Sequence, residues 1–205
     1  MRFAYADPPY LGCCALYDHS HPDGLCWNDV DTHARLITRL QRDFPDGWAL
    51  SASTPSLKSI LPFCPDGHRV GAWVKSFGAF KKGVRPAYMW EPVIFYGGRN
   101  PSNGHRHDPP ERNGKQNTPK DFFITEIDSP AIKEPITLRK GLTGAKPEAV
   151  CRWILELLNV QLGDEVVDLF PGTGIMGRVA LTTTSPSTFE QAGKYSNSTL
   201  KGGTS

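Results

Sequence analysis

No apolar run in this sequence approaches the ~18 residues of a membrane-spanning helix, which excludes an integral helical membrane protein. The N-terminus, Met1-Arg2-Phe3-Ala4-Tyr5-Ala6-Asp7, has no apolar core segment and no small-residue cleavage site, so it does not read as a secretory signal. Cysteine is scarce: five residues, an odd number, unevenly spaced and without a C-x2-C pair. That excludes a disulfide framework and, without an export signal, points to reduced thiols in a cytoplasmic protein. An excess of one charge is missing too. The 23 Lys and Arg against 21 Asp and Glu leave +2, which permits a nucleic-acid partner without demanding one. Low-complexity composition is also absent: 39% of the 205 residues are hydrophobic, enough for one globular domain with a real core.

The chain opens on a short apolar strand, Phe3 to Ala6, which Asp7-Pro8-Pro9-Tyr10 must end, because two prolines remove ladder donors. Asp29 or Asp31 can cap a helix reaching about Phe44, with Leu36, Ile37, Leu40 and Phe44 on one face. Strands are expected at 48–51, 70–74 and 92–96, and a short helix capped at Thr54-Pro55. Lys146-Pro147-Glu148 opens the most regular helix, with Val150, Ile154, Leu157 and Leu158 apolar and Pro147 in its first turn. A buried strand over 165–170 follows, then a glycine turn and a helix to Leu181. The alternation predicts an α/β fold with a largely parallel sheet.

Two motifs carry chemistry. Asp168-Leu169-Phe170-Pro171-Gly172-Thr173-Gly174 runs from a strand through a glycine turn into a helix. Glycines allow close approach of a ligand to the backbone, and the helix start offers free N–H groups. An ordinary tight turn would look the same, and Gly172, Gly174 and Gly177 also fit a dinucleotide fingerprint. The second motif is Asp7-Pro8-Pro9-Tyr10. Its prolines stiffen the loop, so that Asp7 and the Pro8 carbonyl form two acceptors that can hold both hydrogens of an exocyclic amine. Tyr10 supplies a flat face for a flipped-out base. A plain loop carboxylate beside a proline turn is the alternative.

Taken together, the motifs resemble the S-adenosylmethionine-dependent amino-methyltransferases of nucleobases. Asp7-Pro8-Pro9-Tyr10 is similar to their catalytic motif in its adenine-N6 form, and Asp168 to Gly174 to their cofactor motif. Lys146-Pro147 resembles the segment ahead of that motif in permuted members, and 73–75 and 90–96 resemble their later strands. The order resembles the permuted beta class of bacterial and phage DNA methyltransferases. The resemblance, over 1–98 and 141–181, implies a circularly permuted Rossmann-like methyltransferase sheet, mostly parallel. In it the strands ending at Ala6 and Phe170 lie side by side. It implies Asp7, Pro8, Pro9 and Tyr10 as catalytic residues. Lys146, Pro147, Asp168, Phe170, Pro171, Gly172, Thr173 and Gly174 would hold S-adenosylmethionine, with no metal, because a sulfonium methyl is already activated. DNA is the implied partner, through adenine N6, with cytosine N4 the nearest variant.

Residues 1–181 are expected to form this domain. Within them 99–140 is a polar insertion in the place of a target-recognition segment, carrying +3 over 99–120 that could meet DNA phosphates. The 24 residues from 182 hold 11 Ser and Thr and are expected to be disordered. The family continues here into a strand ending in an acidic residue that binds the cofactor ribose; this chain does not. The expectation is a strand 165–170 left at the sheet edge, from truncation, an out-of-frame tail or pairing as a homodimer, and weak cofactor binding. A remnant that binds DNA or a partner without catalysis is the competing function. Cys13, Cys14, His19, His21 and Cys26 cluster, but with no standard zinc spacing they read as incidental to a substrate loop. Lys75 reads as solvent-exposed.

Overall fold

The computed structural model describes residues 1–14, 24–79, 85, 87–100, 130–136 and 145–185. The elements run β1 (Arg2–Ala6), α1 (Val30–Asp43), β2 (Gly47–Ser51), α2 (Leu57–Ile60), β3 (Arg69–Ala79), β4 (Tyr88–Gly97), β5 (Ala131–Lys133), α3 (Glu148–Leu157), β6 (Glu165–Asp168) and α4 (Ile175–Thr184). The strands form one sheet in the order β5-β3-β4-β2-β1-β6. β1 pairs in parallel with β2 and β6, and β3 with β5, while β4 runs antiparallel to both β2 and β3.

Side-chain alternation along the strands divides the core into two layers. Ala4, Ala6, Trp48, Leu50 and Ile94 meet Leu36, Ile37 and Leu40 of α1 and Ile60 of α2. Phe3, Tyr5, Ala49, Val93 and Phe95 meet Val150, Trp153 and Ile154 of α3 and Ile175, Met176 and Val179 of α4. Phe3, Ile37, Trp48 and Ile154 are fully buried. Side chains of this size contribute about 1.5–3 kcal/mol each when withdrawn from water.

Asp29 caps α1, its carboxylate accepting from the Asp31 N–H. A 3-10 turn, Thr54–Ser56, leads into α2, and Ser53, not Thr54, is its cap, in a reciprocal pairing with Ser56. Pro147 stands at the cap of α3 rather than inside its first turn. β3 and β4 are longer than the apolar runs suggest, because their outer halves pair with each other. Pro92 is tolerated inside β4. Its carbonyl accepts from Ala52 N–H at 3.0 Å, so its missing donor faces the point where β2 has ended. The last expected strand stops at Asp168, and residues 182–184, expected to be disordered, complete α4. Among the described residues β6 is a sheet edge, as expected. Residues 186–205, and 101–129 and 137–140 of the polar insertion, lie outside the described residues, as do His19 and His21.

The carboxyl ends of β1, β2 and β6 reach the same side of the sheet, where β4 begins: Ser51 pairs with Val93 and Tyr5 with Asp168. The Asp7 loop and the glycine turn lie on that side.

Candidate active site

Asp7 leaves the end of β1 and its side chain is 19% exposed. Pro8 and Pro9 behind it are buried, and the turn after them closes with Cys13 N–H donating to the Tyr10 carbonyl at 2.8 Å. Lys146, just ahead of α3, donates to both Asp7 oxygens at 2.8 and 2.7 Å and to the Tyr10 hydroxyl at 2.9 Å. The Tyr10 hydroxyl lies 3.1 Å from Asp7 Oδ1 and 3.0 Å from Glu91 Oε2; its one proton serves either carboxylate. Glu91, on β4, accepts from Lys75 of β3 and lies 3.7 Å from Lys146 Nζ. Both ammonium groups approach the Trp73 ring, at 5.1 Å for Lys75 and 5.8 Å for Lys146.

The result is an alternating chain of charges: Asp7, Lys146, Glu91, Lys75. Burial raises the Asp7 carboxyl above its ordinary range, more than Lys146 and Tyr10 bring it down. Burial acts on Glu91 in the same direction, but there Lys146 and Lys75 prevail and the carboxyl is lowered. Lys75, expected in solvent, is 16% exposed and belongs to this chain of charges. Glu91 and Trp73 are site residues that the sequence reading missed as such. Their meeting depends on the antiparallel register that pairs Trp73 with Glu91.

The glycine turn lies at the neighbouring strand end. Asp168 Oδ1 accepts from the Phe170 N–H at 3.1 Å, bending the chain out of β6. Burial raises the Asp168 carboxyl, and the nearby Asp7 charge raises it further. Phe170 packs edge-on against Trp27, with ring centroids 5.1 Å apart. Pro171 and Gly172 are exposed, Thr173 and Gly174 half-buried. Gly172 and Gly174 have φ of 45° and 70°, a region that costs other residues about 1–2 kcal/mol. The first bond within α4 runs from Arg178 N–H to the Gly174 carbonyl, which leaves the N–H groups of Ile175, Met176 and Gly177 without a partner in the helix. A Cβ at Gly174 or Gly177 would meet nothing within 4 Å. Among the described residues, nothing stands where a side chain at either position would go. The third glycine of a dinucleotide fingerprint serves close helix–strand packing, which Gly177 does not provide here.

Of the residues expected to hold a cofactor, Lys146 contacts Asp7 and Tyr10, and Pro147 is buried beside it as the cap of α3. Arg99, counted with the basic insertion, is instead turned inward. Its guanidinium donates to both oxygens of buried Asp164, at 2.6 and 2.7 Å. All five cysteines are free thiols. Among the described residues no helix is long and apolar enough to cross a membrane.

Among solved structures, the complex of M1.HpyAVI with SAM matches 94% of this chain and 87% of its own, at TM-score 0.51 and 16% identity. They share a fold. Both are mixed α/β proteins, here built on the six-stranded, mostly parallel sheet described above. M1.HpyAVI alone also matches, covering 97% of this chain and 88% of its own, at TM-score 0.47 and 17% identity. No family model and no curated protein matches this sequence.

Proposed function

We propose that this protein transfers a methyl group from S-adenosylmethionine to the exocyclic amine of a DNA base, adenine N6 in preference to cytosine N4. The observation that carries the reading is the adjacency of the two motifs. β1 and β6 pair in parallel, so that Asp7 and the glycine turn leave neighbouring strand ends. Ligands of open α/β sheets bind at such carboxyl ends. The shared fold with a SAM-bound protein supports it further.

The residues present suit this cofactor. The glycine turn can approach a bulky ligand, the free N–H groups of α4 suit a carboxylate, and Asp168 supplies a negative charge for a cationic one. When bound, S-adenosylmethionine supplies a methyl group activated by its sulfonium. Asp7 then accepts a hydrogen from the substrate amine, with the Pro8 carbonyl as second acceptor, and fixes the direction of the nitrogen lone pair. The Asp7 carboxylate can also take the proton that the methylated nitrogen gives up. Tyr10, tethered by its hydroxyl, presents its ring to the base. On this reading the chain order is the permuted one, residues 1–181 form the catalytic domain, and 99–140 carry target recognition.

The test is transfer of a radiolabelled methyl group to unmethylated genomic DNA, with Asp7→Ala as control. Incorporation that disappears in the variant is expected, and nucleoside digestion then identifies the base. Folded wild-type protein that incorporates nothing would favour the competing reading, a remnant that binds DNA or a partner without catalysis.

A further inference from the structure

We propose that Glu91 is a positioning residue of this site: it is the second anion, on which Lys146 rests while a substrate amine holds Asp7. The proposal rests on the amine-methylation reading above. In the ligand-free protein Asp7 Oδ1 accepts from both Lys146 and Tyr10, and Oδ2 accepts from Lys146. A carboxylate engaged in this way is a poor acceptor for a neutral amine, so Lys146 has to give way.

The place it can go is already built. Glu91 Oε2 is 3.7 Å from Lys146 Nζ, and a shift of about 1 Å brings the pair to hydrogen-bond distance. The Tyr10 hydroxyl, within 3.1 Å of Asp7 and 3.0 Å of Glu91, can keep its hold on the ammonium through the move. Lys75 holds Glu91 from the far side and prevents the carboxylate from following Lys146 toward Asp7. The cation thus stays inside the site, close to both carboxylates, so that Asp7 keeps a nearby counter-charge when the neutral amine arrives and neither buried anion is left uncompensated, which would be strongly unfavourable.

The groups facing Asp7 are Lys146 ahead of α3, Cys151 on α3, Tyr10 beyond β1, Tyr5 on β1, Asp168 on β6 and Glu91 on β4, with Lys75 of β3 behind it. Among them Glu91 raises the Asp7 carboxyl by its negative charge. Its neutral isostere therefore moves Asp7 ionisation to lower pH.

The experiment measures methyl transfer to DNA across pH for the wild type, Glu91→Gln, Glu91→Asp, Lys146→Gln and the Lys146→Gln/Glu91→Gln double variant. Ligand-free wild type and Glu91→Gln are also followed by carboxyl 13C NMR at Asp7. In Glu91→Gln, kcat/KM should fall about tenfold, carried by KM for DNA, while the acid limb and the Asp7 titration move to lower pH. Glu91→Asp should lie between it and the wild type, and carries the test should Glu91→Gln fail to fold. Once Lys146 is replaced, losing Glu91 as well should change kcat/KM less than about twofold. Equal losses in kcat and KM terms with an unmoved acid limb, or additive losses in the double variant, overturn the proposal. Wild-type protein that transfers no methyl group overturns the functional reading itself, and the proposal falls with it.

Discussion

Lys146 Nζ sits 2.7 and 2.8 Å from the two carboxylate oxygens of Asp7, although 139 positions separate the residues. The contact links the loop after β1 to the start of α3, and so joins the first strand to the helix that leads into the glycine turn. It also sets the protonation chemistry of the site. A buried carboxylate without a cation would take up a proton, and a protonated Asp7 would lose acceptor capacity toward an amine.

Lys146→Met tests this contact. Without the ammonium, burial and the Glu91 charge act on Asp7 unopposed from that side, and its carboxyl rises further. A carboxyl raised in the folded state contributes stability that is complete below its unfolded pKa and is lost as pH rises through the folded one. The variant should therefore lose more stability at about pH 8 than at about pH 5, reaching about 3 kcal/mol. Urea unfolding at the two pH values measures it. A penalty that is flat or shrinks with rising pH would contradict the assignment.

Asp164 makes the opposite prediction. Its side chain is 3% exposed and receives the Met1 ammonium at 2.8 Å, the Arg99 guanidinium at 2.6 Å and the Gln161 N–H at 2.8 Å. Burial pushes its carboxyl up, but these donors outweigh that and hold it down at about 2. The stability it supplies is present above the unfolded carboxyl range and is lost as pH falls toward the folded value. Asp164→Asn should cost about 2–3 kcal/mol at neutral pH, below the full penalty for a broken buried pair because both cations are partly solvated. The cost should fade on acidification. Thermal melts at neutral and acid pH would show whether it does.

The two glycines of the turn region should behave differently. Gly174 has φ of 70° with free space around its missing Cβ, so Gly174→Ala is penalised by backbone conformation alone, at about 1–2 kcal/mol. It should also weaken cofactor binding by reshaping the turn. Gly177 is an ordinary helical residue of α4 with the same free space, and Gly177→Ala should stabilise by about 0.5–1 kcal/mol. Calorimetric titration with S-adenosylmethionine alongside the melts decides between motif readings. Loss of binding in Gly177→Ala would mean that the third glycine belongs to the ligand site after all.

How much of this was legible follows from what sets each feature. The stop at Pro8-Pro9 and the apolar face of α3 depend on neighbours in sequence and read directly from it, and the cap of α1 narrowed there to Asp29 or Asp31, of which Asp29 serves. The side-by-side placement of β1 and β6 followed from the family resemblance, and the parallel pairing bears it out. β5 escaped notice because three residues between Pro130 and Glu134 carry no periodicity, and only pairing with β3 makes them a strand. Lys75 looked like a solvated charge, as most charges on a strand are, and nothing local singled out Glu91, 16 positions further on. They meet because β3 and β4 extend beyond the carboxyl ends of the parallel strands, a property of register rather than composition. Arg99 likewise looked like part of a basic loop until Asp164 closed on it.

The cysteines give a final prediction that reports on the whole fold. Cys151 lies on α3 at 1% exposure, and burial pushes its thiol up to about 12. Cys26, in the turn before α1, is exposed. Labelling needs an accessible thiol, so the exposed Cys26 should react rapidly with a thiol reagent while Cys151, buried and held as the thiol, stays inert in the native state. Cys151 then becomes accessible only when α3 leaves the sheet. Because Val150 and Ile154 beside it are fully buried in the core, that opening is close to global unfolding. Where closing is fast compared with labelling, the Cys151 rate follows the equilibrium population of the open form. Asp164→Asn should therefore accelerate Cys151 labelling by about 30- to 150-fold for 2–3 kcal/mol lost, and leave Cys26 unchanged. Comparable native labelling of the two thiols would mean that α3 opens independently of the sheet beneath it.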